Sequence, residues 1–372
     1  MPSAAGSQGD EGSRRAAARV AVVTGLVTLA LIGLLATARG GAGWFVKFGS
    51  ESANTGFGRE VLGPDVPVPF DESQDGVQFW LLARDPFLRD APALEASLDR
   101  PAYRAQRIAY PWLAAPWRLG GEQALVWGLV LVNAGALAVG AWFTARLAQL
   151  LGGRAEIGYV FALNPASVVS LMLDLSEIVA LAGLAAAVYL VRRSNWSTGS
   201  AAGAVAVLAK EAALLVLAAV ALGARGVPWS RRVALVGLAA VPAAAWWFYV
   251  RSRFGGQPWG SQEFTPVPFG GYVEAWDLAW RPARHWGDLA VAVLAVVSAA
   301  AVIVRFVRTR TLELWAALPF AVLVPFLSFQ VVNRNINLVR AIGPVLLFLL
   351  VDVLASRAAR RASTPEATAL AT

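Results

Sequence analysis

Cysteine is absent from this 372-residue chain. A disulfide framework, thiolate chemistry and a cysteine-ligated metal site are therefore excluded. Histidine occurs once, at His285, so no multi-histidine metal centre can be built. Lysine is almost missing as well: Lys47 and Lys210 are its only occurrences, and arginine carries the rest of the positive charge. Charged residues make up 15% of the chain, against about 25% in an average soluble domain. The sequence also lacks a Walker A pattern, a G-x-G-x-x-G fingerprint and an H-E-x-x-H motif. ATP-driven and zinc-protease chemistries have no support without them.

What is present is hydrophobic: 57% of residues, arranged in blocks of about 20, the length that crosses a bilayer. The formal net charge of +8 does not point to nucleic acid, because the arginines cap the apolar runs, where they set membrane topology. Apolar segments run at about 19–38, 124–145, 156–173, 177–191, 200–223, 232–250, 287–304, 312–330 and 337–354. Arg14, Arg15 and Arg19 precede the first, which places its start on the cytoplasmic side. Ala36-Thr37-Ala38 also resembles a signal-peptide cleavage site, a competing reading of that segment. Later arginine clusters mark one common side only if 200–223 returns to the side it started from. Lys210-Glu211 at its centre fits two half-helices meeting at a polar tip. The expectation is an all-α polytopic membrane protein with about ten transmembrane helices and both termini inside. Residues 1–16 and 356–372 read as disordered tails around a membrane domain, 17–355. Two long stretches face outward, 40–122 after the first span and 251–286 later, and any substrate is met there.

The candidate chemistry lies mostly in the first of these stretches. Asp71, Glu72 and Asp75 fall within five positions, beside Phe79 and Trp80. A carboxylate at such a boundary serves as a general base if partial desolvation lifts its pKa; a solvated acidic turn is the plain alternative. Downstream, Tyr103 to Pro111 contains Arg104, Gln106 and Arg107. Guanidinium forks suit phosphate, and they equally anchor an amphipathic helix to headgroups. Within the apolar region Asp174, Glu177, Lys210 and Glu211 stand out, because charge at membrane depth faces a cavity or pairs with its opposite. Lys210 either pairs with an acid or binds a phosphate reached from the outer leaflet. Arg334 and Arg340 flank the start of the last segment, where snorkelling is the simple reading. Of the fifteen tryptophans, most suit an interfacial belt; Trp80, Trp112 and Trp259 are candidates to stack on a sugar or a prenyl chain.

The order of these features resembles the GT-C superfamily of membrane glycosyltransferases, which includes the protein O-mannosyltransferases and the lipid A aminoarabinose transferases. It is most similar to bacterial GT-C-like proteins associated with cell-surface glycopolymer formation. Their Y-D-G-Q-F-Y-Y, D-P-F and Y-R-x-Q-R-I-x-Y-P stretches resemble Asp75 to Trp80 (with Gln78), Asp85 to Phe87, and Tyr103 to Pro111. Asn164 to Ser167, Asp174 to Glu177 and Lys210-Glu211 resemble that group's N-P-A, D-x-x-E and basic-acidic stretches. The likeness covers about 70 to 350, and its motifs are specific as a set rather than singly. Val77 is inserted after Gly76 and Gln74 stands where the tyrosine is expected, so Asp75, Asp71 and Glu72 all stay open as the reactive acid. The resemblance implies a bacterial cytoplasmic-membrane enzyme with its site on the extracytoplasmic face. Its donor would be a polyprenyl-phosphate-linked sugar and its acceptor a glycan, lipid or protein. Asp75 would act as base in an inverting transfer. Arg104, Arg107, Lys210 or Arg340 would neutralise the leaving phosphate, with Gln106 among the substrate- and phosphate-binding residues and Gln78, Asp174, Glu177 and Glu211 in support. Such a site needs no nucleotide, and its chemistry runs either with or without a divalent cation. A non-catalytic flippase or assembly partner for a lipid-linked glycan is the alternative.

Overall fold

The computed structural model describes residues 4–255, 263–281 and 285–362. Among them the chain is all-helical, with two isolated bridges, Gly49 with Phe70 and Phe264 with Leu327, and no strand. Five helices are long and apolar enough to cross a membrane: Asp10–Arg39, Glu122–Leu150, Trp229–Phe254, Trp286–Thr309 and Asn335–Arg361. A sixth crossing forms if Ala155–Leu163 and Pro165–Met172, bent by 50°, count as one. Several apolar helices of membrane length mark this as a membrane protein.

The expected count of about ten is not reached, because several apolar segments are interrupted. Asn164 caps a new helix with its side chain and Pro165 begins it. Asp174, in the left-handed region at φ 55°, separates Pro165–Met172 from Glu177–Arg192. Trp196–Ala209 stops at Lys210, and Ala213–Gly223 starts three residues on, the break expected from the charged pair. At 1.5 Å per residue these pieces reach roughly 12–24 Å, less than the ~30 Å hydrocarbon core.

The long helices divide into a core and a periphery. The apolar window of Asn335–Arg361 is 72% buried and that of Glu122–Leu150 56%, whereas the other three are 28% buried. Their outward apolar faces, such as Val233, Leu238, Val241 and Phe248 on Trp229–Phe254, suit a lipid surround.

Two expectations about the rest of the chain are corrected. Of the expected disordered tail 1–16, residues 4–16 are helical, the first helix running from Ala4, and 1–3 lie outside the described residues. Arg14 pairs with Asp10 and Arg15 with Glu11 one turn apart, and Asp10 also meets buried Arg146 at 2.7 Å. At the other end helix continues from 356 to Ala362, and 363–372 lie outside the described residues. The polar stretch 40–122 folds into short helices, including Gly43–Val46, Ala53–Leu62, Asp75–Arg84, Ala91–Ser97, Pro101–Ala105 and Ala109–Ala114. They enclose a core containing Phe45, Phe48, Phe79, Trp80, Leu82 and Leu88.

Candidate functional site

Asp75 is the first residue of the helix Asp75–Arg84, and the backbone around it is clamped from two sides. The Gln74 amide donates to the Lys47 carbonyl at 3.0 Å, and the Gly49 amide donates to Ser73 Oγ at 2.9 Å. A Cβ on Gly76 would lie 2.7 Å from the Val46 carbonyl oxygen and 2.8 Å from that of Leu173. Only glycine lets three backbone segments meet there, so the Asp75-Gly76 pair fixes where the carboxylate sits.

Around that carboxylate the structure gathers residues far apart in sequence. Asp75 bonds Arg104 at 2.9 Å and Arg340 at 2.9 Å. Arg104 also holds Asp99 through two parallel bonds of 2.8 Å. Arg340 is shared with Glu177, at 2.7 and 2.9 Å, and Lys210 meets the same Glu177 oxygen at 3.0 Å. Arg107 forms a second fork, to Glu211 at 3.0 and 2.7 Å. It also donates to the Tyr103 hydroxyl at 2.6 Å, and that hydroxyl hydrogen-bonds Glu263. Each guanidinium thus lies between two carboxylates, which is how buried charge avoids being left unpaired.

The network lines two adjoining hollows. One, of about 290 Å³, contains Asp75, Tyr103, Arg104, Arg107, Lys210 and Arg340. The other, of about 460 Å³, is reached past the same Asp75 and Arg104 and includes Gln78 and Asp99. A narrow apolar crevice, walled by Leu181, Leu184, Ala213, Phe320 and Pro344, ends at Glu177, Lys210 and Arg340. Lys210 and Arg340 line both this crevice, of about 20 Å³, and the 290 Å³ hollow.

The electrostatics overturn one expectation. Burial alone would raise the Asp75 pKa, but the guanidinium groups of Arg340 and Arg104 outweigh it and hold the carboxyl at about 2. Asp75 is thus a firmly ionised, ion-paired carboxylate rather than a base poised near neutrality. Tyr103 moves the other way: burial and the nearby Glu263 and Glu211 raise its hydroxyl pKa beyond what Arg107 offsets.

The remaining candidates separate. Asp71 and Glu72 are exposed; Glu72 stands at the rim, 4.0 Å from Arg334. Asp174 does not join its neighbour Glu177. It is fully buried elsewhere, hydrogen-bonded by the Tyr110 hydroxyl and 3.4 Å from Asn133 Nδ2. Gln106 is buried and lines neither hollow. Lys210 meets an acid, the simpler of its two expected readings. Trp80 is fully buried and unavailable for stacking, Trp112 donates to the Pro86 carbonyl at 2.8 Å, and Trp259 lies outside the described residues. His285 stands apart, 3.4 Å from Asp288. Sequence reasoning missed Asp99 and Glu263. Asp99 precedes Arg104 by five residues in a polar stretch, and Glu263 arrives because Ser328 donates its amide to the Glu263 carbonyl; neither leaves a pattern in sequence. Among the described residues no group of three or more His, Cys, Asp or Glu is arranged to hold a metal ion. Comparison with protein-family models, curated proteins and solved structures found no match to this chain.

Proposed function

We propose that this chain is a GT-C-like glycosyltransferase of a bacterial cytoplasmic membrane. It would move a sugar from a polyprenyl-phosphate donor to a glycan, lipid or protein acceptor on the extracytoplasmic side. The short apolar helices would complete further crossings, to about ten, and the helical stretch 40–122 would face outward. One observation carries the reading: Asp75, Arg104, Arg107, Lys210 and Arg340 converge on a polar hollow that abuts an apolar crevice. A lipid phosphate has that same division, an anionic head on an apolar tail.

The ion pairing suggests how such a site would be switched on. An incoming phosphate competes with Asp75 and Glu177 for Arg340, because a guanidinium fork takes phosphate as readily as carboxylate. Once Arg340 turns to the phosphate, the attraction that depresses the Asp75 pKa weakens. Asp75 then accepts the proton of an acceptor hydroxyl as that oxygen attacks the anomeric carbon. The bond from that carbon to the phosphate oxygen breaks, and the lipid phosphate leaves with its charge facing Arg340 and Lys210.

Asp75→Asn in the native host tests this, scored by surface-glycan composition. Loss of the glycan linkage with Asp75→Asn and not with Asp71→Asn is expected. A reporter fused near Gly63 is expected to be active on the outer side, and cytoplasmic activity there would end the argument. The alternative of a non-catalytic flippase or assembly partner is favoured by one fact, the pairing of Asp75 with both Arg104 and Arg340. Wild-type glycan from Asp75→Asn would select it.

A further inference from the structure

A hollow of about 850 Å³ lies at the far end of the helix Asp75–Arg84. Its wall includes Phe57, Arg84, Phe87, Arg89, Arg118 and Leu119, none of which lines the two hollows at Asp75. Its position in the membrane follows from what anchors it. The 3-10 turn Ala115–Gly120 leads directly into Glu122–Leu150, a helix of membrane-spanning length. The opposite wall is tied to the end of Trp229–Phe254, where Tyr249 donates to the Phe87 carbonyl at 2.5 Å and Arg253 to those of Leu88 and Arg89 at 3.0 and 2.8 Å. Both walls hang from the ends of spanning helices, so the hollow sits where the hydrocarbon gives way to headgroups. Its surroundings agree: Leu119 is 96% exposed, and Phe87, Leu113 and Trp117 are about half exposed.

The arginines there are held in a distinctive way. Arg84 lies 4.4 Å over the Phe57 ring and 5.2 Å from that of Trp80, and Arg89 lies 5.7 Å from the Phe87 ring. Stacking satisfies the face of a guanidinium and leaves its N–H edge available. Asp85 and Asp90 line the hollow as well, and each nearby acid already accepts a hydrogen bond. Glu122, outside the lining, takes the Nε edges of Arg84 and Arg118 at 3.0 and 3.5 Å, and Arg118 also donates to the Arg84 carbonyl. Asp85 accepts the Asp90 amide at 2.8 Å, and Asp90 accepts that of Ala93 at 3.2 Å. Among the described residues Arg89 has no ion pair.

We infer that this hollow is a second binding site, taking a phosphate-bearing amphiphile: the phosphate on the edges of Arg84, Arg89 and Arg118, the apolar chain over Phe87 and Leu119. On the transfer reading it seats the acceptor as a lipid-linked phosphate. Ser97 borders both this hollow and the 460 Å³ hollow at Asp75, so a headgroup extending past Ser97 would enter the hollow that Asp75 lines. The binding itself does not depend on transfer.

The test is retention of labelled farnesyl phosphate by the purified full-length chain in maltoside micelles, with farnesol and inorganic phosphate as competitors. Two variants address this hollow alone: Arg89→Gln with Arg118→Gln, and Ala93→Trp, which fills the space from an exposed wall position without changing charge. Both are expected to weaken one component of farnesyl phosphate binding by roughly tenfold or more, with farnesol and phosphate competing poorly. Unchanged binding in both variants would overturn the site. Equal competition by inorganic phosphate would overturn the amphiphile, and equal competition by farnesol would overturn the role of the arginines. An Asp75→Asn chain keeps this binding whichever way its glycan assay turns out, so failure of transfer and failure of this site are told apart.

Discussion

Replacing Asp75 by Asn removes one charge and almost no volume, and leaves both arginines with another acid: Arg104 keeps Asp99 and Arg340 keeps Glu177. The change therefore isolates the attraction felt by the Asp75 carboxylate. Its pKa falls from 3.8 to about 2 in the folded chain, with burial opposing and Arg340 and Arg104 prevailing. At about 1.4 kcal/mol per unit, the ionised form contributes about 2 kcal/mol to folding. Because the folded value is depressed, that contribution is fully present above pH 3.8 and is lost as pH falls through about 2. The assay is unfolding of the full chain in mixed micelles, followed by tryptophan fluorescence, for wild type and Asp75→Asn between pH 7 and pH 2. The variant should be less stable by about 2 kcal/mol at pH 7, with the gap closing below pH 4. Equal stability at pH 7, or a gap that persists unchanged at pH 2, would refute the ion-pair account.

Two further substitutions test the same architecture. Arg340→Gln leaves Glu177, 2% exposed, with Lys210 alone, and should cost about 3–5 kcal/mol in the same unfolding assay; adding Glu177→Gln should recover part of that loss, and no recovery would mean the pair is not the source. Gly76→Ala pushes a methyl against two carbonyl oxygens and should cost about 1–3 kcal/mol, whereas Gly56→Ala, in the helix Ala53–Leu62 with open space around it, should cost nothing and stabilise by up to about 1 kcal/mol.

Three members of the ion network were visible in sequence for one physical reason. Charge is expensive in an apolar environment, so Glu177, Lys210 and Arg340 stand out against their neighbours. Asp75 and the two arginines were visible only through a spaced pattern around them. Asp174 carried the same signal as Glu177 and went elsewhere: its left-handed backbone turns the chain between them, and Tyr110 and Asn133 take its carboxylate. Hydropathy identified the apolar segments, and the charged residues marked the breaks at Asp174 and Lys210, but composition did not register the break at Asn164 or how short the resulting helices are. The N-terminal tail misled in the opposite direction. Its Ala, Gly and Arg content read as disorder, while Asp10 and Glu11, one turn before Arg14 and Arg15, supply the pairs that support a helix.

The pairing pattern also constrains the kind of ligand the hollow can admit. Its cations are matched by buried or half-buried carboxylates, so a neutral molecule gains little by displacing one: Arg340 would leave two acids for a weaker hydroxyl partner. An anion replaces a carboxylate on equal terms, and the displaced carboxylate must then find a proton or another cation. For Glu177 that cation is already present, Lys210 at 3.0 Å. For Asp75 the remaining partner is Arg104, which Asp99 already holds in a two-bond fork. Anion entry thus leaves Glu177 neutralised and Asp75 under-compensated. The acid most in need of a proton is then the one at the junction of the two polar hollows, which is where a transferring hydroxyl would lose its own.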